Sequence, residues 1–221
     1  MSDFRFGIVV FPGTNCEQDV AHAVRWLGHQ AEYIWHQDTT VSQFDALVLP
    51  GGSSYGNYLR PGALAAASPI IAAISEYAAQ GKPVLGISNG FQILTEAGLL
   101  PGALQQNASL THICETLDFY VEKTVCQWLQ LASGTMISLP VSHGFGSYYA
   151  DAATLIQMES NGQIVLRDTQ ARIAAVCNEQ GNVFGMMPHP ERACEVLAAN
   201  HPAGAGGTVF STIVKHLEVV R

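Results

Sequence analysis

Short apolar runs and helix-period segments alternate along the first hundred residues. Residues 6–11 form an apolar stretch of strand length that Pro12-Gly13 cuts off. Val20, Ala23, Val24 and Leu27 then recur at helical spacing before Gly28, and Thr14 and Asn15 offer side chains to cap that helix. Residues 31–35 and 46–49 predict two more strands, the second closed by Pro50-Gly51-Gly52. Ser68-Pro69 predicts a capping hydroxyl and a first-turn proline for a helix that runs to Gln80, with Gly81 as its stop. Residues 83–87 read as a buried strand and 91–97 as a helix ending before Gly98. Wholly apolar strands separated by amphipathic helices predict an α/β fold, an open and mostly parallel sheet with helices on both faces.

The pattern loosens beyond residue 105. Residues 117–121 and 135–141 resemble strands of a small antiparallel extension. Residues 173–177 and 183–187 form a hairpin pattern with its turn at Gln180-Gly181-Asn182. A helix near residues 209–219 follows the glycine-rich run 203–207, which reads as a flexible connector. There is no repeat, charge block or linker, so residues 1–221 read as a single domain.

Composition narrows the function. Apolar residues are 48% of the chain and charged residues only 13%, the opposite of a disordered chain. The formal net charge of −8, with no basic cluster, argues against a nucleic-acid partner. No apolar stretch approaches the roughly 20 residues of a spanning helix, which argues against a membrane. Five cysteines without a C-x-x-C pair argue against a disulfide frame or metal cage and for a reducing, cytoplasmic setting.

In doubly wound sheets, ligands gather beyond the C-terminal ends of the strands. Four segments fall there: Pro12-Gly13-Thr14-Asn15, Pro50-Gly51-Gly52-Ser53, Gly86-Ile87-Ser88-Asn89-Gly90 and Pro188-His189-Pro190-Glu191. The third follows a strand and precedes a helix, the setting that makes G-x-S-x-G a nucleophile elbow; the bland alternative is a glycine-rich turn in which Ser88 caps the helix. A serine hydroxyl needs a base. His189, stiffened by two flanking prolines, is the candidate, and Glu191 could orient its ring. Gly51-Gly52 could bring backbone N–H groups close to a substrate oxyanion, or could be a plain tight turn. His22, His29, His36, His112, His201 and His216 have no such context.

Together these segments resemble the glutaminase subunits of phosphoribosylformylglycinamidine synthase, class I glutamine amidotransferases with a flavodoxin-like fold. The resemblance rests on residues 10–16, 48–52, 55–60, 81–100, 142–151 and 177–193, and most specifically on residues 89–102 followed by Met186-Met187-Pro188-His189-Pro190-Glu191-Arg192. It implies that the residue at position 88 attacks L-glutamine, with His189 and Glu191 assisting. It further implies an oxyanion hole from Gly52 and the Asn89 N–H, and substrate contacts from Gly51, Gln92 and His143. Ammonia would pass to a synthetase large subunit, accompanied by a small accessory subunit. ATP and magnesium are expected on that synthetase alone, with no metal or cofactor on this chain.

The family nucleophile is cysteine, and this chain has Ser88. A thiolate forms at modest cost near neutral pH and a serine alkoxide does not, so weak or absent turnover is expected. The resemblance also implies an aromatic at Ser53, aspartate at Asn57, glutamate at Phe145 and a longer loop over residues 167–173. These departures leave a non-catalytic partner subunit as the alternative. A serine hydrolase is a third reading, disfavoured because His189 precedes its acid, the reverse of α/β-hydrolase order.

Overall fold

Four of the six residues of β1 (Arg5–Val10) are buried, as expected of a strand covered on both faces. The computed structural model describes residues 3–195 and 204–220. After β1 come α1 (Glu17–Trp26), β2 (Gln30–Trp35), β3 (Ala46–Leu49), α2 (Ile70–Ala79), β4 (Val84–Ile87) and α3 (Asn89–Glu96). The later half holds β5 (Ala103–Gln105), β6 (Ile113–Val121), β7 (Met136–His143), β8 (Ser147–Tyr149) and α4 (Ala152–Ser160). It closes with β9 (Ile164–Asp168), β10 (Ile173–Cys177), β11 (Val183–Met186) and α5 (Ala205–Val220).

One nine-stranded sheet runs β2-β1-β3-β4-β11-β10-β9-β6-β7. The first five strands are parallel; β10, β9, β6 and β7 continue the sheet by antiparallel pairing. A separate two-stranded antiparallel ribbon joins β5 to β8. Alternate side chains feed two cores. Phe6, Ile8, Val48, Leu85 and Ile87 pack with α1 and α5, whereas Val9, Leu47, Leu49 and Val84 pack with α2 and α3. Helices therefore cover both faces, as the apolar runs imply.

The structure amends several local expectations. Thr14 and Asn15 do not cap α1: Thr14 Oγ1 instead accepts from the Phe11 N–H at 3.0 Å and holds the turn after β1. The Ser68 hydroxyl does not cap α2 either, and meets the Tyr55 hydroxyl at 3.2 Å. Gly206 and Gly207 lie inside α5, whose packing overrides their weak helix propensity, while Ala203 lies outside the described residues. α4 has no clear apolar stripe, with Met158 its one buried residue; Asp151 starts it by accepting from the Thr154 N–H at 3.0 Å. β9 was equally hidden, because an apolar run of three residues is too short to assign a period. The short 168–172 connection is a turn closed by the Asp168 carboxylate, which accepts from the backbone N–H groups of Gln170 and Arg172.

The β10–β11 hairpin is anchored by Asn182, which is fully buried. Its Nδ2 donates to Ala78 O at 2.9 Å and Lys82 O at 2.8 Å, and its backbone oxygen accepts from Trp128 Nε1. Asn182→Ala removes both bonds and strands Lys82 O, while Ala78 O keeps the Gly81 N–H at 2.9 Å, and is expected to destabilise the chain by about 1–3 kcal/mol in urea denaturation. A loss below about 1 kcal/mol would show that water replaces those bonds.

Candidate active site

The parallel strands aim their C-terminal ends at one edge of the sheet. β1 ends in Pro12-Gly13, β3 in Gly51-Gly52, β4 in Ser88, and β11 leads through Met187 and Pro188 to His189. The first two turns interlock: the Ser53 N–H donates to Gly13 O at 2.9 Å and the Cys16 N–H to Gly51 O at 3.2 Å.

Ser88 has φ 52° and ψ −104°, a conformation an L-residue adopts only when its surroundings enforce it. The surroundings are identifiable. Its N–H donates to Met186 O on β11 at 2.7 Å, and α3 begins at the very next residue. Gly90 lets that helix approach β3: a Cβ there would lie 1.9 Å from Leu49 O. The glycine is required by close packing, and the turn at Ser88 is a strained strand-to-helix turn rather than a side-chain cap. The Ser88 side chain makes no capping hydrogen bond to α3.

His189 is 2% exposed and Glu191 5%. The two prolines hold a turn in which His189 Nδ1 donates to Glu191 Oε1 at 2.6 Å, which fixes the ring. Gly51 gives the ring room, since a Cβ at that position would lie 2.7 Å from His189 Cε1. His189 Nε2 and Glu191 Oε2 are buried without a hydrogen-bond partner. Burial pushes the imidazolium down, but the charge and hydrogen bond of Glu191, joined by the neighbouring Cys16, outweigh it, raising His189 to about 9.

The pattern of known proteins decides the family. The CobB/CobQ-like glutamine amidotransferase domain matches residues 3–215. The chain is 50% identical over 200 residues to phosphoribosylformylglycinamidine synthase subunit PurQ of Trichormus variabilis, covering 86% of this chain and 89% of that one. It is also 50% identical over 206 residues to the PurQ subunit of Thermomicrobium roseum, covering 86% and 87%.

This chain belongs to the PurQ family.

A chain of the solved PurLQS structure from Thermotoga maritima superposes with a TM-score of 0.88 at 42% identity, covering 98% of this chain and all of that one. A glutamine amidotransferase from the same organism shares the fold alone, with a TM-score of 0.60 at 13% identity, covering all of this chain and 86% of that one.

In this PurQ-family chain, Asn89, Gln92 and the 143–146 loop form a connected polar strip. Asn89 Oδ1 accepts from the Ser54 N–H at 3.0 Å, and Asn89 Nδ2 donates to Gln92 Oε1 at 2.9 Å. Gln92 Nε2 donates to Phe145 O at 2.7 Å, so the elbow helix is tied to the 143–146 loop. His143 is held through its Nδ1 by Asn107 Oδ1 at 3.0 Å. Burial, joined by the positive charges of His112, His189 and Arg172, pushes His143 down to about 4, which leaves it neutral at pH 7.

Two residues beside these, Cys16 and Asn107, have no role assigned by the sequence read by itself. Cys16 is buried beside His189; its sulfur accepts from Arg192 Nη2 at 3.2 Å, and its S–H donates to Asn15 Oδ1 at 3.1 Å. Asn107 organises the 143–146 loop by accepting from the Gly146 N–H and donating to His143 O. Among the described residues, Cys16, His189 and Glu191 are the metal-type donors that come together, within 4.8 Å of one another. The Arg192 guanidinium already places a cation on those donors, which disfavours a second one there. His201 lies outside the described residues, which include no helix long and apolar enough to cross a membrane.

The raised value of His189 has a sign that can be tested. A group held above its unfolded value of 6.5 contributes stability that is complete below pH 6.5 and is lost as pH rises through about 9. Thermal melts should therefore show Tm falling between those limits, with His189→Asn flattening the fall. An equally steep fall in that variant would assign it to another group.

Proposed function

We propose that this chain is the glutamine amidotransferase subunit of a phosphoribosylformylglycinamidine synthase, taking L-glutamine at the Ser88 elbow and delivering ammonia to a synthetase large subunit. The observation that carries the reading is the strained elbow at the end of β4, one strand away from the buried His189–Glu191 pair. The PurQ relatives are named as subunits of that synthase, and the solved relative is a PurLQS structure. The assembly proposed for this chain contains the large subunit and a small accessory subunit. ATP and magnesium are assigned to the synthetase.

The roles follow from the chemistry of amide cleavage. Position 88 supplies the nucleophile to the glutamine side-chain carbon, and His189 Nε2 manages the proton while Glu191 holds the ring. The N–H groups of Gly52 and Asn89 receive the oxyanion, aided by the start of α3. Gly51 leaves space for the ring. Gln92 and His143 form the pocket wall, Gln92 through its bridge to Phe145 and His143 as a neutral group.

Turnover as written is expected to be weak. His189 is protonated at neutral pH by the balance above, and a serine hydroxyl has no proton acceptor in an imidazolium. The same observation favours a second reading, a subunit that docks with the synthetase without hydrolysing glutamine. The test is ammonia release from L-glutamine by the purified chain, alone and mixed with a synthetase large subunit. Turnover that appears only in the complex supports the first reading; co-elution with the synthetase without turnover supports the second.

A further inference from the structure

We propose that Cys126 and Cys177 form an oxidisable dithiol, which hydrogen peroxide converts to an intramolecular disulfide while the chain stays folded. The site lies apart from the Ser88 elbow and does not depend on the glutaminase reading.

Cys177 ends β10, and Cys126 lies on the irregular segment 122–135 between β6 and β7. Both are buried, and the fold brings their thiols into hydrogen-bond contact. Thr124 stands between the two elements: its Oγ1 accepts from the Cys126 N–H at 3.2 Å and lies 3.8 Å from Cys177 Sγ. Backbone bonds fix the arrangement on every side. The Val125 N–H donates to Gly162 O at 3.1 Å, the Gln127 N–H to Gly181 O at 2.9 Å, and the Cys177 N–H to Gln163 O at 2.8 Å. Gly181 permits this approach, since a Cβ there would lie 2.1 Å from Val125 O.

A buried cysteine is ordinarily inert, because burial disfavours the thiolate and hides the sulfur from reagents. This pair lies against a surface cleft of about 570 Å³ whose lining includes Thr124, Val125 and Gly162. Thr124 Oγ1 and Gly162 O are the atoms that meet the Cys177 thiol, at 3.8 and 4.0 Å. The residues that line the cleft are thus the residues that cover the sulfur. The two thiols are also unlike. Burial pushes Cys126 up, whereas the hydrogen bond from Cys126 holds Cys177 below the ordinary thiol value. Cys177 is accordingly the attacking sulfur and Cys126 the resolving one.

The Cys177 thiolate attacks one oxygen of hydrogen peroxide and the O–O bond breaks. Cys177 sulfenic acid forms, and the departing hydroxide takes up the proton that the thiol gave away, leaving as water. The Cys126 sulfur then displaces the sulfenic hydroxyl group, which leaves as a second water with the Cys126 proton. Two thiols have lost two electrons and two protons, and the peroxide has become two waters. The sulfurs must close from hydrogen-bond to covalent distance, and the irregular segment that carries Cys126 supplies the movement. The remaining cysteines have other settings: Cys16 lies against Arg192, Cys194 donates to Pro190 O at 3.2 Å, and Cys114 is exposed on β6.

The test is peptide mapping of the folded full chain after brief hydrogen peroxide treatment, alkylation and tryptic digestion without reductant. Cys126 falls in the peptide 124–167 and Cys177 in 173–192, each with a single cysteine, so their joining identifies the pair. The expected product is that linked pair, two hydrogens lighter than the separate peptides and returned to free thiols by dithiothreitol. It should form at least about tenfold faster than any link to Cys16, Cys114 or Cys194, and lose that lead in urea, where proximity is gone. In Cys126→Ser the sulfenic acid has no resolving thiol, so dimedone should label Cys177; Cys177→Ser should leave Cys126 unlabelled. Circular dichroism establishes that each variant is folded, and where one is not, the peptide map of the unsubstituted chain decides alone.

Free thiols at both positions under treatment that oxidises the exposed Cys114 overturn the inference, as do links that join either residue to another cysteine. A 124–167 to 173–192 link that forms only in urea overturns it as well, because folded geometry is then not its cause. Ammonia release by Ser88→Cys is a separate measurement, and its failure leaves the dithiol standing.

Discussion

Ser88→Cys is expected to raise ammonia release from L-glutamine at least tenfold, equivalent to about 1.4 kcal/mol of barrier. The backbone is already arranged for it: the elbow has φ 52°, Gly90 admits the helix against Leu49 O, and His189 stands buried with its ring fixed. What the site lacks is an atom that ionises readily. A cysteine thiol can give its proton to the imidazole and remain as a thiolate beside the resulting imidazolium, so the raised His189 value favours the reactive state. With serine the same raised value is a handicap, since the base is occupied before the hydroxyl can use it. The measurement is glutamine-dependent ammonia release by both forms, alone and with the synthetase large subunit. No gain in either setting would mean that the departures at Ser53, Asn57 and Phe145 have disabled the pocket itself.

The second large effect is expected on that cysteine background. His189→Asn should lower ammonia release by roughly 10²–10⁴-fold, the usual contribution of a positioned acid–base group. Glu191→Gln keeps the size of the side chain and removes its charge. It should therefore lower the titration midpoint of His189 from about 9 toward or below 6.5, because burial then acts without its opposing carboxylate. Proton NMR of the His189 ring reads that midpoint directly. A midpoint that stays high in Glu191→Gln would transfer the effect to Cys16, because the Arg192 charge acts in the opposite direction.

The polar strip bears on why such substitutions should act locally. Asn89 joins the Ser54 N–H to Gln92, Gln92 joins Phe145, and the Arg60 guanidinium grips Glu96 at the far end of α3 through two bonds of 2.6 Å. The loop that carries Asn57 is tied down as well, with the Tyr55 hydroxyl 3.1 Å from His36 Nδ1 and 3.2 Å from Ser68 Oγ. Neither Ser88 nor His189 supplies a side-chain bond to this strip, so changing either leaves it in place.

Much of the fold was legible because apolar period and chain breakers are local properties. β1, β3 and β4 are short runs closed by proline, glycine or a polar turn, and their burial on both faces leaves no polar alternation to misread. The G-x-S-x-G turn and the proline-bracketed His189 were visible for the same reason: their backbone constraints are written in adjacent residues. The parts that escaped are those whose stability comes from elsewhere. α4 buries Met158 alone and starts on the Asp151 cap, and β9 is a strand because β6 and β10 flank it. Ser68 and Thr14 could have capped helices, but each has a hydroxyl with a better-placed partner across the fold or turn.

The sequence by itself determined the parallel α/β layering, the elbow, the His189–Glu191 spacing and the absence of a thiol at position 88, all of which depend on residue identity and short-range geometry. Tertiary structure alone decided which of several histidines lost water and gained a carboxylate, that Cys16 and Arg192 stand behind its ring, and that Nε2 was left without a partner. Charge state depends on burial and on neighbours distant in sequence, Cys16 and His189 being separated by almost the whole chain, and no local pattern encodes that meeting.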